Sequence, residues 1–367
     1  MKIEFLDKKD RSLLEQFYRE SYSPKYILLR KDFFDWYTVK NPNYRDRFPD
    51  GQLPVLVLRD DKRILAHWVC GAQKFNFFGR NFSMFWTSNW MVHPDFRHRG
   101  LGALITNFLQ KLPVDVLAAN MVTKESRNVL ERLNYQYQDL NRYLAVFSDE
   151  ALNLVNHRND PRVRDRLREV IIPAKNGDFA NIEPVSAFAE DYNEFWHSGF
   201  APVAQGGARD ADFLNWRYPQ APFFEYRCFV VKDNQKKIKG VIVLRIDEIR
   251  NTNYRACRML EFFTDPEWAK LAAEFVISYA RREKCVFLDY YNLFSGFDSF
   301  FAEAGILKND SVLSTEIPRL TQPVAHENWF INAVFWKRNP EISNETFFNF
   351  DKWYTTSGDS DQDRKNF

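Results

Sequence analysis

The stretch MVHPDFRHRGLGALITNFL, residues 91–109, decides how this chain is read. Residues 82–92 before and into it are apolar and aromatic with few breaks, as in a buried strand. After Pro94 the pattern changes. Leu101, Leu104, Ile105, Phe108, Leu109 and Leu112 recur at helical spacing, and Pro113 is expected to stop the helix. Residues 114–119 are again strand-like. Strand, helix and strand in so short a span form a crossover unit, with its two strands expected to be parallel. Arg97, His98, Arg99, Gly100 and Gly102 therefore fall on the strand-to-helix turn. The first amides of a helix lack internal partners and carry partial positive charge. Glycine lets the backbone approach a ligand, and arginine adds charge and forked donors. Such a turn is suited to phosphate or diphosphate.

The wider composition sets bounds on function. The chain has 367 residues, 45% of them hydrophobic, enough for two domains with sizeable cores. With 51 basic against 49 acidic residues, charge gives no reason to expect nucleic acid as a partner. Cys70, Cys228, Cys257 and Cys285 lie far apart and form no metal-binding spacing, which suits reduced core thiols. The N-terminus carries charges where a signal peptide needs an apolar core, and no apolar run reaches membrane-spanning length. A cytoplasmic protein without metal or membrane attachment is expected.

Two parts of the chain look alike. The segment SLLEQFYRESYSPKYILLRKDFFDWY (residues 12–37), then LPVLVLRDDKRILAHWVC (53–70), is matched by AFAEDYNEFWHSGFAPVAQGGARDADFLNWRY (187–218), then YRCFVVKDNQKKIKGVIVL (226–244). Phe17-Tyr18 aligns with Phe195-Trp196, Trp36 with Trp216, and Ala66 with Gly240. Each copy carries a hairpin turn, Asp60-Asp61-Lys62 or Asp233-Asn234-Gln235. The expected organisation is a duplication: residues 1–155, a linker at 156–181, a second domain at 182–345, and a tail at 346–367. The second copy has FFTDPEWAKLAAEF at the place of the turn. Ala269, Ala272 and Glu274 stand there in place of glycines, so only the first copy is expected to hold an anionic cofactor.

The turn is neither GxxxxGK[ST] nor GxGxxG. Arg97-His98-Arg99-Gly100-Leu101-Gly102 resembles the R/Q-x-x-G-x-G/A motif of the GNAT superfamily of acyl-CoA-dependent N-acyltransferases, and the preceding Val92-His93-Pro94 is similar to that family's lead-in. The resemblance continues through Asn120 and the helix ESRNVLERLNYQY. It implies an α/β (α+β) fold of two tandem GNAT-like domains. Each would have a mixed, mostly antiparallel sheet flanked by helices, with one parallel strand pair at the coenzyme A site. By the same resemblance, amides of residues 99–103, Arg99 through Ala103, with the side chains of Arg97 and Arg99, would hold the coenzyme A diphosphate. His98 would belong to the same turn. The backbone at Met91 and Val92 would pair with the pantetheine arm, and Asn120 would mark where the strands part to admit it. The co-substrate would be acetyl-CoA or a longer or hydroxylated acyl-CoA.

The family's usual base, a glutamate on the fourth strand, is absent from FWTSNW, and Leu130 stands where its tyrosine acid is expected. His67 on a neighbouring strand is a candidate base, since imidazole titrates near neutrality. Ser88 and Asn89 are candidates to hold a catalytic water. An amine on a sugar ring titrates at about 8, well below the value of about 10.4 for lysine, and needs a weaker base. The ending NFDKWYTTSGDSDQDRKNF and the RDADFLNWRYPQAP segment resemble GNAT-like proteins of surface-polysaccharide biosynthesis. That implies a nucleotide-linked amino deoxysugar, such as a dTDP-sugar, as acceptor. A protein or polyamine acceptor, or a silent tandem-GNAT scaffold, are the alternatives. Fem-type aminoacyltransferases also pair two such domains, but have no use for a coenzyme A turn. The tail reads either as a frayed terminus or, through Trp353 and Tyr354, as a packed one. Exposed sheet edges leave room for a homo-oligomer.

Overall fold

A computed structural model describes residues 1–173, 177–321, 324–326 and 331–359. The first half contributes strands β1 (Lys2–Asp7), β2 (Gln52–Arg59), β3 (Ile64–Phe77), β4 (Arg80–Val92), β5 (Val116–Asn120), β6 (Gln136–Asp139) and β7 (Asn141–Val146). Its helices are α1 (Arg11–Ser21), α2 (Lys31–Tyr37), α3 (Leu101–Leu109) and α4 (Lys124–Arg132), and α5 (Pro161–Glu169) follows. The second half adds β8 (Ile182–Val185), β9 (Gln205–Gly207), β10 (Tyr226–Lys232), β11 (Ile238–Glu248), β12 (Arg255–Thr264), β13 (Cys285–Asn292) and β14 (Leu307–Lys308). Short strands β15 (Leu320–Thr321) and β16 (Val324–Ala325) come next, then β17 (Asn332–Lys337) and β18 (Trp353–Tyr354). Its helices include α6 (Tyr192–Phe195), α7 (Ala211–Arg217) and α8 (Pro266–Arg282).

Two mixed sheets result. The first runs β1-β2-β3-β4-β5-β17-β6, with β9 on β3 and β18 on β9; the second runs β14-β7-β13-β12-β11-β10-β8. Along the main path of each, three antiparallel pairings are followed by one parallel pair, β4–β5 in the first and β12–β13 in the second. The expected α/β fold with one parallel pair beside the first turn is what forms. Helix α3 buries Leu101, Ile105 and Leu109 against the first sheet. It ends at Leu109, a turn short of Pro113, because Lys111 and Leu112 tighten into i→i+3 bonds to Phe108 and Leu109.

The halves are interlocked. Strand β7 follows β6 in the chain but pairs antiparallel with β13 in the second sheet. Strand β17, from the second half, pairs antiparallel with β5 in the first. Each half thus completes the other's sheet.

One aligned pair of anchors, Trp36 and Trp216, is in direct contact. Trp36 Nε1 donates to the Trp216 carbonyl at 2.8 Å, and Trp216 Nε1 donates to the Trp36 carbonyl at 2.8 Å. The rings stack at 5.4 Å. Both hairpin turns use the same device: Asp60 Oδ1 accepts from the Lys62 and Arg63 amides, and Asp233 Oδ1 from those of Gln235 and Lys237. A reciprocal contact between equivalent residues is what a two-fold relation between repeats produces. Among the described residues no helix is long and apolar enough to cross a membrane.

Candidate functional site

Strand β4 breaks its pairing near its end. His67 faces Met91 and Val69 faces Ser88, so Asn89 and Trp90 together stand opposite the single residue Trp68. This bulge puts Asn89 in the left-handed region, at φ 55°. Two tyrosines from the segment after α1 hold it. Tyr22 Oη donates to the Asn89 carbonyl at 3.1 Å, and Tyr26 Oη donates to Asn89 Oδ1. Asn89 Nδ2 donates to Ser88 Oγ at 2.9 Å, and Ser88 Oγ lies 2.8 Å from Tyr37 Oη. Ser88 and Asn89 are therefore joined in one polar chain with Tyr37, Tyr22 and Tyr26. No sequence signal tied these tyrosines to β4, since they lie 51 to 67 positions from their partners.

Beyond Val92 the chain makes a short turn over Pro94–Phe96, capped by His93, whose Nδ1 accepts from the Asp95 amide at 3.3 Å. His93 Nε2 faces Glu20 at 3.3 Å. Gln16, which donates to Glu20, holds that carboxyl below its ordinary value, and His93 adds to the effect. Arg97 Nε donates to the Val92 carbonyl at 3.4 Å, and its Nη2 lies 3.5 Å from Met91 Sδ. Its guanidinium thus lies across the strand end. Arg99 stacks over Phe96 at 5.1 Å. His98 and Gly100 are left-handed, at φ 62° and 74°. Gly100 is the N-cap of α3, with nothing within 4 Å of where a Cβ would stand. Gly102 is the opposite case. A Cβ there would come within 2.8 Å of the Trp90 ring, which itself stacks on Trp68 at 4.8 Å. The first turn of α3 is thereby seated directly on the bulge. The first intrahelical bond runs from the Leu104 amide to the Gly100 carbonyl, so the amides of Leu101, Gly102 and Ala103 come before any i−4 partner. Arg97, His98, Arg99 and Gly100 are exposed. The turn therefore presents free amide ends and two guanidinium groups to solvent, the donor set that suits a diphosphate.

The parallel pairing of β4 with β5 runs from Met84–Val116 to Thr87–Ala119 and stops there. Beyond it β4 turns into its bulge, while Asn120 pairs with Ala333 of β17. The two strands part beside the turn. Asn120 is buried at this opening, with Nδ2 donating to the carbonyls of Thr356 (3.5 Å) and Asp359 (3.4 Å).

His67 lies next to Met91 in register but points into the core. It is fully buried, and neither ring nitrogen has a hydrogen-bond partner. Phe17 and Tyr18 meet the ring edge-on at 4.9 and 5.2 Å. Burial lowers its pKa to about 3.

The corresponding opening in the second half is closed. Strands β12 and β13 stay paired to Met259–Tyr290. Past that point Tyr354 Oη accepts from the Phe262 amide at 2.9 Å and donates to the Phe262 carbonyl at 3.2 Å. Helix α8 starts at Pro266 with no glycine turn, and Ala269 and Ala272 are fully buried. The tail that brings Tyr354 is packed, not frayed, through Asp359. Arg209 donates to Glu261 Oε1 (2.9 Å) and Asp359 Oδ2 (2.7 Å), and all three side chains are fully buried. Burial raises the Glu261 pKa, against the pull of Arg209. Arg217 Nε donates to the Gly358 carbonyl at 2.7 Å.

No family model matches the sequence, and no curated protein does. Solved structures do match. A GCN5-related N-acetyltransferase from Anabaena variabilis aligns over 92% of this chain and 73% of its own, with a TM-score of 0.59 at 9% identity. A probable N-acyltransferase from Enterococcus faecalis aligns over 92% and 72%, at 0.56 and 11%. N-myristoyltransferase from Saccharomyces cerevisiae, with bound myristoyl-CoA, aligns over 96% and 86%, at 0.53 and 12%. At these identities the likeness is one of fold. The fold is similar to that of these acyltransferases over most of the chain.

Proposed function

We propose that this protein is an acyl-CoA-dependent N-acyltransferase whose acceptor is the amine of a nucleotide-linked amino deoxysugar. One observation carries the transferase reading: an exposed cationic turn at the start of α3 lies directly beside the point where β4 and β5 part. In this reading the amides of residues 99–103 and the side chains of Arg97 and Arg99 hold the coenzyme A diphosphate. The pantetheine arm runs along Met91 and Val92 and enters between the strands at Asn120. A backbone amide of the bulge donates to the thioester carbonyl oxygen as it gains charge. The acceptor nitrogen attacks the carbonyl carbon. The C–N bond forms, the C–S bond breaks, the amine gives up a proton, and the thiolate gains one. His67 is enclosed and neutral, so the proton passes to a water held by Ser88 and Asn89, with the Tyr37 hydroxyl behind Ser88. Only the first half acts on the coenzyme, because Tyr354 fills the second opening.

The sugar acceptor rests on the resemblance of the tail and of residues 209–222. The stacked rings of Tyr22 and Tyr26, half-buried beside the bulge at 4.2 Å from one another, add an aromatic surface for the apolar face of a deoxysugar. The test is thermal stabilisation and turnover with CoA thioesters crossed against nucleotide-linked amino sugars, peptides and polyamines. A ligand at 100 times its Kd stabilises by about 2.7 kcal/mol. Stabilisation by a CoA thioester, with turnover on an amino sugar, is expected. Turnover confined to peptides or polyamines would overturn the acceptor, and the absence of any CoA effect would overturn the transferase reading.

A further inference from the structure

Resting on the acyltransferase reading, we infer that residues 355–359 act as a stop that limits the transferred acyl group to about acetyl size. The fold itself does not impose this, since its neighbours include a structure with bound myristoyl-CoA. The limit arises in the side chains beyond the strand opening.

On the face of the first sheet turned away from α3, the side chains at the opening are Trp86 and Ser88 of β4 and Asn120 of β5. Trp86 packs in the same cluster as Trp353, Ser88 meets Tyr37, and Asn120 meets the tail. An acyl group carried through the opening on that face would meet a cavity of about 20 Å³ lined by Tyr37, Gly71, Trp86, Trp216, Arg217 and Gly358. About 10–15 Å³ on this measure holds a single water molecule. A methyl group fits, and a chain of several methylenes does not.

The far wall of this cavity is the tail. Gly358 lines it, and the next residue, Asp359, turns its carbonyl to Asn120. Three features fix the segment there. Arg217 holds the Gly358 carbonyl, Arg209 holds the Asp359 carboxylate, and the Asp359 carboxylate also accepts from the Thr356 amide at 3.0 Å. A Cβ on Gly358 would overlap the Tyr218 hydroxyl, so the segment passes only as glycine. Removing the stop takes the Gly358 carbonyl from the buried Arg217. Once Asp359 is gone, Arg209 and Glu261 remain as a one-to-one pair.

The experiment titrates acetyl-, butyryl-, octanoyl- and myristoyl-CoA into three chains: the full chain, one ending at Asp359 and one ending at Tyr354. The full chain and the one ending at Asp359 are expected to bind octanoyl- and myristoyl-CoA at least about tenfold more weakly than acetyl-CoA, a difference of about 1.4 kcal/mol. In the chain ending at Tyr354 that gap is expected to close to about threefold or less. If this chain does not fold, Trp86→Leu, which enlarges the same cavity, is judged by the same criterion. Equal binding of long and short thioesters by the full chain would overturn the inference and leave the transferase reading standing. So would full discrimination in the folded truncated chain or in Trp86→Leu. Failure of every thioester to bind would overturn both.

Discussion

His67 offers a prediction whose size can be worked from the structure. The ring is fully buried, both nitrogens are unpartnered, and its pKa falls to about 3. In the unfolded chain a histidine titrates near 6.5. Above about pH 6.5 the ring is neutral in both states and contributes nothing to the pH dependence of stability. Below it the unfolded chain takes up a proton that the native ring refuses. Stability then falls by about 1.4 kcal/mol per pH unit until pH approaches the folded value. Between pH 7.5 and 5 the loss due to His67 is about 2 kcal/mol. Other groups titrate in this range, so the comparison is between wild type and His67→Phe, each unfolded in urea at both pH values. The wild type is expected to lose about 2 kcal/mol more than the variant over that interval. His67→Phe is also expected to retain acyl transfer, because the ring does not touch the opening. Parallel losses in the two proteins would refute the buried neutral ring, and loss of turnover in a folded variant would return His67 to the chemistry.

Three further outcomes follow from the same geometry. Gly100→Glu puts a side chain where the backbone is left-handed, a strain of about 1–2 kcal/mol, into open space that lets the protein fold. Its carboxylate beside the turn is expected to weaken CoA binding at least about a hundredfold by calorimetry, about 2.7 kcal/mol. Arg209→Met leaves the Glu261 and Asp359 carboxylates buried without a cation and is expected to cost about 3–5 kcal/mol in urea unfolding at pH 7.5. Trp36→Phe leaves the Trp216 carbonyl without its donor, a loss of about 1–3 kcal/mol. Combined with Trp216→Phe in a double-mutant cycle, it is expected to show a coupling of at least about 0.5 kcal/mol, because the two indoles bond each other's backbone.

The parts of the fold legible in the sequence were those set by local chemistry. Helical spacing after Pro94 and glycines at Gly100 and Gly102 marked a strand-to-helix turn, since both are short-range signals. Trp36 and Trp216, aligned as anchors of the two similar segments, bond each other's backbone. The exchange of β7 and β17 had no such signal. An apolar strand reads the same whichever sheet it joins, and its partner is chosen by long-range packing. The bulge at Asn89 was equally silent, because it is fixed by Tyr22 and Tyr26 from a distant segment. The tail left two readings open until its partners were visible. Arg209, Arg217 and Asn292 are spread over the second half, yet all of them hold it. His67 shows the remaining gap: its place on a strand beside the expected coenzyme site gave no measure of how closely Phe17 and Tyr18 would enclose it.

The diphosphate of coenzyme A is expected at the turn before α3, and a crystal structure of the protein grown with acetyl-CoA tests that most directly. The predicted result is a diphosphate in hydrogen-bond contact with the amides of residues 99–103, with the thioester between β4 and β5 next to Asn120. A coenzyme seated at the start of α8, or anywhere away from the turn at Gly100, would contradict it.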